Sequence, residues 1–443
     1  MKKYVSILLV IMMLFTVMVG CGKTGGTASG EADPGALKGD ITFIHHRTDI
    51  DGTLIKAYIE QFNKKYPNVK ISTESMSDYD GQMTIRMNSN DYGDALIIND
   101  QINPTDYGNF FDVLGTAAEL EKDYMWIRVS KATVGDDVYG IPTCGNAFGI
   151  VYNKRIYNEA GITSLPKNPE EFIADMKLIK EKTDAIPFYT NYAADWTLAG
   201  QYEDHRTSVS GNPDYVNSLV HMDDPFSAGK PHYIVYKLLY DVVKEGLIEE
   251  DPLTTDWESS KTRLATGEIA TMMLGSWAIS QCQERAVQNG VDPADVSFMP
   301  FPYTNADGKM YAGSGGDRNV AISKHSKNKE AARAWIDFFL QETDYAKQLG
   351  AINVLKSKQS EFPEVLKGFQ DLGVNIIVNN PAPVEEAGLL DKLDKESEVG
   401  LWQSDFKKRI VEAAMGTRDE TYDDIMNDLN TKWAAGRKKL EIK

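Results

Sequence analysis

Residues 41–74 read ITFIHHRTDIDGTLIKAYIEQFNKKYPNVKISTE. The first six, Ile41–His46, alternate as a half-buried strand does. Asp51-Gly52 turns the chain into a helix whose apolar residues Ile55, Tyr58, Ile59, Phe62 and Tyr66 fall on one face at a 3.6-residue period. Pro67-Asn68 ends that helix, because proline has no amide hydrogen to donate, and 69–74 is the next strand. A short helical stretch over 83–88 and a strand over 94–98 follow. Strand, helix, strand, helix, strand predicts α/β organisation. Ligand sites in such sheets lie beyond the carboxyl ends of the strands. Here those ends are His45-His46-Arg47-Thr48-Asp49 and Asn99-Asp100-Gln101.

The same grammar continues downstream. Residues 139–145 read as a segment crossing between lobes, leading into a strand over 148–152. Asn168 is placed to cap a helix, with Pro169 at its first position and Glu171 reaching back from the third. Phe172, Ile173, Met176 and Ile179 make its buried stripe. Lys261–Gly267 closes a further helix with a glycine, the residue that adopts the left-handed cap at no steric cost. A strand over 269–274 then runs into Gly275-Ser276-Trp277. Ala331, Ala332, Trp335, Phe338 and Phe339 mark one late amphipathic helix; Tyr422, Ile425, Met426, Leu429 and Trp433 mark another. No internal repeat is present.

The first twenty residues read as an export signal, Lys2 and Lys3 preceding an apolar run too short to span a bilayer comfortably. Gly22-Lys23-Thr24 looks like the tail of a phosphate-binding loop. The glycine that starts such a loop would be residue 17, which is Val17, and the Gly/Ser/Thr-rich chain that follows cannot be a helix. Met18-Val19-Gly20-Cys21 instead resembles a bacterial lipobox. That resemblance implies a diacylglyceryl thioether and an N-acyl chain on Cys21, two signals that together anchor stably. Residues 21–38 are then a flexible, lipid-anchored tether. The expected location is the outer face of the cell membrane, extracellular or periplasmic according to the envelope.

The remaining ~400 residues exceed one ordinary core, so two lobes are expected. The formal charge is −18, or −20 without Lys2 and Lys3, which argues against nucleic acid as a partner. Besides Cys21 there are Cys144 and Cys282, read as free thiols. No metal or cofactor is expected. The six histidines show no zinc spacing, and Asp49-Ile50-Asp51-Gly52 fails as a calcium loop because Arg47 and Tyr58 would hold its first and last positions. Ala312-Gly-Ser-Gly-Gly316 misses the nucleophile-elbow pattern.

Several segments, in order and spacing, resemble the extracellular solute-binding proteins of carbohydrate ABC importers, the family that includes maltose-binding protein. They are 57–69 (AYIEQFNKKYPNV), Tyr139-Gly-Ile-Pro142 with Val151-Tyr-Asn-Lys154, and Asn168-Pro-Glu-Glu-Phe172. Leu264–Trp277 (LATGEIATMMLGSW) and Val320-Ala-Ile-Ser323 before the helix over 329–342 complete the set. Tyr92-Gly-Asp-Ala95 and Gly350-Ala-Ile-Asn353 depart from the family's usual wording. The resemblance implies a two-lobed periplasmic-binding-protein-like α/β fold of type II, each lobe a mixed sheet flanked by helices. Residues 39–145 plus 317–350 would form the N-terminal lobe and 146–316 plus 351–443 the C-terminal lobe. Crossings would lie near 144–148, 313–319 and 350–354. A sugar, in all expectation an oligosaccharide, would be captured by hinge closure and delivered to the transmembrane permease subunits, which work with a cytoplasmic ATPase. The protein would act as a monomer and without catalysis.

A sugar presents an apolar C–H face that suits a flat aromatic ring and a rim of hydroxyls that suits paired hydrogen-bonding groups. Trp335 and Trp433 sit on helical stripes and are core residues; Trp126 and Trp257 offer no argument for a cleft. Trp277 and Trp402 match ring-stacking positions of the family, and Trp196 lies in a polar loop where relatives place an aromatic. His46, Arg47, Asp49 and Asp100 follow strand ends. The resemblance puts Asn146 at a crossing position that touches ligand, and Asp317 follows glycines that let backbone approach closely. The competing function is a surface glycoside hydrolase, which needs two carboxylates facing each other at a fixed separation. None of the 65 acidic residues is marked as such a pair. A peptide or polyamine ligand is a third reading, disfavoured by the aromatic set.

Overall fold

The computed structural model describes residues 34–99, 101–358 and 363–442. The export signal, Cys21 and Asp100 therefore lie outside the described residues.

Two mixed sheets organise the molecule. In the first, β1 (Gly39–His45) pairs in parallel with β2 (Val69–Ser75) and with β3 (Ala95–Ile97). Between them run α1 (Lys56–Lys65) and α2 (Tyr79–Arg86). Residues Asp51–Ile55 wind as a π-helical turn before α1. The stripe of α1 packs inward as its periodicity requires, with Tyr58 and Phe62 buried against the sheet. After a small three-stranded sheet over 115–138, β4 (Ile141–Pro142) takes the far edge.

The second sheet is built on β5 (Gly145–Asn153), nine residues of which all but Phe148 are buried. α3 (Pro169–Lys182) starts at the expected cap: Asn168 Oδ1 accepts from Glu171 N–H at 2.8 Å. Glu171 reaches one residue further back than expected, accepting from the amide of Lys167 at 2.8 Å. β6 (Ile186–Phe188) leads to α4 (Asp195–Glu203), α5 (His205–Ser210) and α6 (Pro231–Lys244). α7 (Trp257–Thr266) ends on Gly267 at φ +87°, and β7 (Ile269–Gly275) runs straight into α8 (Trp277–Gln288). β8 (Val296–Met299), β9 (Tyr311–Gly316) and, late in the chain, β11 (Asn375–Val378) complete the sheet in the order β11-β9-β5-β7-β6, with β8 also on β5.

From β9 the chain returns to the first sheet as β10 (Asn319–Ile322), wedged between β3 and β4, and continues as α9 (Lys329–Gln341). The chain ends in α10 (Asp405–Ala414) and α11 (Tyr422–Lys439) against the second lobe. Trp335 and Trp433 are fully buried, as their helical spacing predicts. Cys144 and Cys282 are free and buried.

Three strands of chain pass between the sheets side by side. Thr143-Cys144 joins β4 to β5, Asp317-Arg318 joins β9 to β10, and 350–354 follows α9. Gly145 and Ile352 exchange both backbone hydrogen bonds at 2.8 Å, Asp317 N–H donates to Cys144 O at 2.8 Å, and Thr143 N–H donates to Arg318 O at 3.0 Å. The passage is a narrow hydrogen-bonded ribbon, the kind of element that bends while the lobes on either side stay rigid.

Candidate functional site

On the first lobe's side of the ribbon, the end of β1 assembles a polar wall. His45 accepts from Arg47 N–H through Nδ1 at 3.2 Å, so its Nε2 carries the proton and donates to Asp51 at 3.0 Å. That pair fixes the turn that presents His46 and Arg47. Arg47 makes a two-pronged pair with Asp49, Nε to Oδ1 at 2.8 Å and Nη2 to Oδ2 at 2.5 Å. Burial pushes the Asp49 carboxyl up but the Arg47 guanidinium outweighs it, so the group stays below the usual carboxylate range. Burial brings His46 down to about 4, against the pull of Asp317, leaving a neutral ring at pH 7. Its Nδ1 is buried with no hydrogen-bond partner among the described residues. Asp317 sits beside it on the ribbon, accepting from Arg318 N–H at 2.8 Å and from the Cys144 thiol at 3.7 Å. Arg318 in turn grips Asp80 of α2 through both guanidinium nitrogens at 2.9 and 2.8 Å. His46, Arg47, Asp49 and Asp317, drawn from two distant parts of the sequence, thus form one cluster. Asn99, next to Asp100, turns inward: its Nδ2 donates to Asp80 O at 3.1 Å and Thr84 Oγ1 at 2.8 Å.

On the second lobe's side, three indoles meet. Trp277 begins α8, Trp257 begins α7, and Trp196 is the second residue of α4. Ring centroids lie 5.5 Å apart for Trp196–Trp277, 5.6 Å for Trp257–Trp277 and 5.1 Å for Trp196–Trp257, the last two edge-to-face. Trp196 keeps 40% of its surface exposed, so the group has an open face. Trp196 stands in the first turn of a helix rather than in the loop expected for it. Trp257 was not expected at the site at all. The available signal was its neighbour: Asp256 caps α7 by accepting Ser259 N–H at 2.7 Å, and an acidic or hydroxyl residue directly precedes each of the three tryptophans. Of the three helices, α8 starts directly at the end of β7, where ligand sites of such sheets lie.

Asn146 directly follows Gly145, the residue at which the ribbon enters β5. It lies inside β5, buried, with Oδ1 accepting from Ser276 Oγ at 3.3 Å and its carbonyl accepting from Ser314 Oγ at 2.9 Å. It anchors the strand-to-helix turn that carries Trp277.

Trp402 stands apart from the triad, in the loop before α10, 41% exposed. Its ring rests on the buried guanidinium of Arg206, 4.8 Å from the centroid. Below lies a dry charge cluster: Glu203 pairs with Arg206, accepts from His232 Nε2 at 3.2 Å and faces Lys407 at 3.8 Å. Burial pushes Glu203 up, but His232, Arg206 and Lys407 outweigh it and bring it to about 2. Burial lowers Lys407 to about 8 in spite of Glu203. Lys407 Nζ also donates to the carbonyls of Leu401 and Gln403, at 2.5 and 2.8 Å, clamping the backbone on both sides of Trp402.

Trp126, set aside in the sequence, lies at the ribbon. It is buried at φ +60°, and its ring fills the space beside Gly145 while its Cβ closes on Gly316. Among the described residues no group of three or more metal-ligating side chains is found.

This arrangement agrees with comparisons to known proteins. The profile described as "Bacterial extracellular solute-binding protein" matches residues 48–346. The multiple sugar-binding protein of Streptococcus mutans serotype c is 24% identical over 351 residues, 76% of this chain and 78% of that protein. Among solved structures, the manno-oligosaccharide specific solute binding protein BlMnBP2 of Bifidobacterium animalis subsp. lactis, in complex with mannotriose, is 35% identical with a TM-score of 0.82, covering 91% of this chain and 95% of that one. BlMnBP1, a binding protein of an ABC transporter from the same organism, in complex with mannobiose, is 37% identical with a TM-score of 0.82 and the same coverage. A family match over more than half the chain, joined to a two-lobed fold shared with these structures, places this chain in the bacterial extracellular solute-binding protein family.

Proposed function

We propose that this protein is the extracellular substrate-binding component of an ABC sugar importer and that its ligand is a short manno-oligosaccharide. The observation that carries the reading is the pairing of an open three-indole platform with a polar wall on the two sides of one hinge ribbon. The platform suits the C–H face of a pyranose ring, and Arg47, Asp49 and Asp317 suit its hydroxyl rim. The two Bifidobacterium relatives, each more than a third identical, are solved with mannobiose or mannotriose, which supports a ligand of two to three mannose units.

In this reading residues 39–145 plus 317–350 move as one lobe and 146–316 plus 351–443 as the other. A sugar bound to both lobes favours the closed state by its extra contacts there, and the permease subunits recognise that state. Trp277, Trp196 and Trp402 stack on sugar, and His46, Arg47, Asp49, Asp100 and Asp317 bind hydroxyls; Asn146 contributes through the Trp277 turn. The protein performs no chemistry on its ligand: the relatives reported above are binding proteins and lend the hydrolase alternative no support. Cys21 carries the lipid that holds the protein at the outer membrane face, and Cys21→Ser releases it to the soluble fraction.

Calorimetric titration of the protein with mannobiose, mannotriose, maltotriose and chitotriose tests the ligand class. Micromolar or tighter binding of the mannosides alone is expected. Binding of maltotriose or chitotriose in their place overturns the manno-oligosaccharide assignment, and steady release of monosaccharide overturns the receptor reading.

A further inference from the structure

Lys261 stands on α7 one turn after Trp257 and is buried, only 6% exposed. Its ammonium lies 5.1 Å from the centroid of the Trp257 ring. It donates to both carboxylate oxygens of Glu258, each at 2.8 Å, and to Gln281 Oε1 on α8 at 3.4 Å. Gln281 in turn stands one turn after Trp277. Glu258 Oε2 also lies 3.5 Å from Arg285 Nη2, one turn further along α8. Positions four apart on each helix thus meet in pairs, indole with indole and then ammonium with carboxamide.

Stability alone does not account for a lysine at this place. Taking an ammonium out of water is costly, and the carboxylate it meets is 65% exposed, so the pair contributes little in return. A methionine would pack between α7 and α8 without that cost. What an apolar side chain lacks is direction. The ammonium is attracted to the Trp257 ring and bound to Gln281 across the gap between the helices. It therefore fixes both the tilt of that ring and the spacing of the two helices that carry Trp257 and Trp277.

We infer that Lys261 is a positioning residue for the indole platform: it holds Trp257 against Trp277 before any sugar arrives, so the ligand meets a preformed surface. This rests on the carbohydrate-receptor reading above and deepens it, since Lys261 acts on the sugar only through Trp257. A lysine that merely tied two helices together would have the same effect on binding with or without Trp257. A residue that acts through another couples to it, so the effect of Lys261 on binding must vanish once Trp257 is gone. The mutual angle of the indoles must also depend on Lys261 in the free protein. Indoles this close and inclined share their excitation and give a far-ultraviolet circular-dichroism couplet that follows that angle.

The test uses the full-length protein with Lys261→Met, Lys261→Arg, Trp257→Ala and a variant carrying both Lys261→Met and Trp257→Ala. Mannotriose calorimetry reads binding, and far-ultraviolet circular dichroism without sugar reads the couplet. Lys261→Met is expected to raise Kd about threefold and to alter the couplet, with Lys261→Arg restoring much of both. In the double variant Kd should stay where Trp257→Ala alone puts it. A couplet unchanged by Lys261→Met overturns the inference, and so does a Lys261→Met penalty of equal size with and without Trp257. Failure of the wild type to bind mannotriose fells the manno-oligosaccharide reading instead, while the couplet still decides the role of Lys261. Should Lys261→Met prove misfolded by thermal unfolding, Gln281→Ala decides, since it removes only the cross-helix acceptor: Kd and couplet both unchanged by it overturn the inference.

Discussion

The indole of Trp126 occupies the place that a side chain on Gly145 would need: a Cβ there would stand 2.0 Å from the ring's Cη2 atom. Gly145 is the residue that exchanges both hydrogen bonds with Ile352, so the contact sits on the hinge ribbon itself. A bulky residue at φ +60° is strained by about 1–3 kcal/mol and persists only where packing holds it. Gly145→Ala should therefore lower stability by about 3 kcal/mol, the upper end of overpacking penalties. Adding Trp126→Ala should not restore full stability but should make the alanine at 145 nearly neutral. A double-mutant cycle in urea measures that coupling.

The triad divides labour among its rings. All three indoles touch one another, but Trp277 alone starts its helix directly at a strand end, where ligand sites of such sheets lie, so its removal takes away the ring best placed to stack. Trp277→Ala is expected to raise Kd for mannotriose by at least about tenfold, consistent with aromatic hot spots of ~2 kcal/mol or more. Trp257→Ala, which removes edge-to-face contacts to both other rings, should cost about threefold to tenfold. Tryptophan fluorescence titration and calorimetry read both. A larger loss at Trp257 than at Trp277 would contradict this order.

The cluster under Trp402 predicts a stability effect with a definite pH window. Glu203→Gln leaves Arg206 and Lys407 buried without their counter-charge, and breaking such a pair from one side typically costs about 3–5 kcal/mol. In the wild type the folded Glu203 lies at about 2, below the ~4.3 of an unfolded glutamate. Its contribution is complete above about pH 4.3 and is lost as pH falls through about 2. Urea midpoints measured from pH 7 to pH 2 should show that decline in the wild type and its absence in Glu203→Gln.

The two thiols should be inert in the native protein. Burial pushes Cys282 up to about 12 and Cys144 up as well, with Asp317 adding to the latter, so neither offers thiolate at pH 8. A thiol-reactive dye should label neither until the protein unfolds. Rapid native labelling at Cys144 would mean that the ribbon opens far more often than its hydrogen bonds suggest.

Most of the framework was legible because it depends on short-range rules. The stripe from Ile55 to Tyr66, the Asn168–Pro169–Glu171 helix start and the Gly267 stop each follow from a few neighbouring residues, and each stands where local chemistry puts it. The same rules assigned Trp335 and Trp433 to the core. They misjudged Trp196 by placing it in a loop, since Asp195 could be read equally as a loop residue and as the first residue of a helix.

The sequence by itself determined the alternation of strands and helices, the polar strand end His46–Asp49 and the resemblance to a family, all properties of local periodicity and motif order. Tertiary structure alone decided which side chains meet. Asp317 lies beside His46, Trp257 joins Trp196 and Trp277, Trp126 fills the gap at Gly145, and Glu203 gathers Arg206, His232 and Lys407 around it. The reason is geometric: the ribbon is crossed three times and the lobes fold back on themselves, so partners far apart in the chain become neighbours across strands and helix starts whose pairing no local pattern encodes.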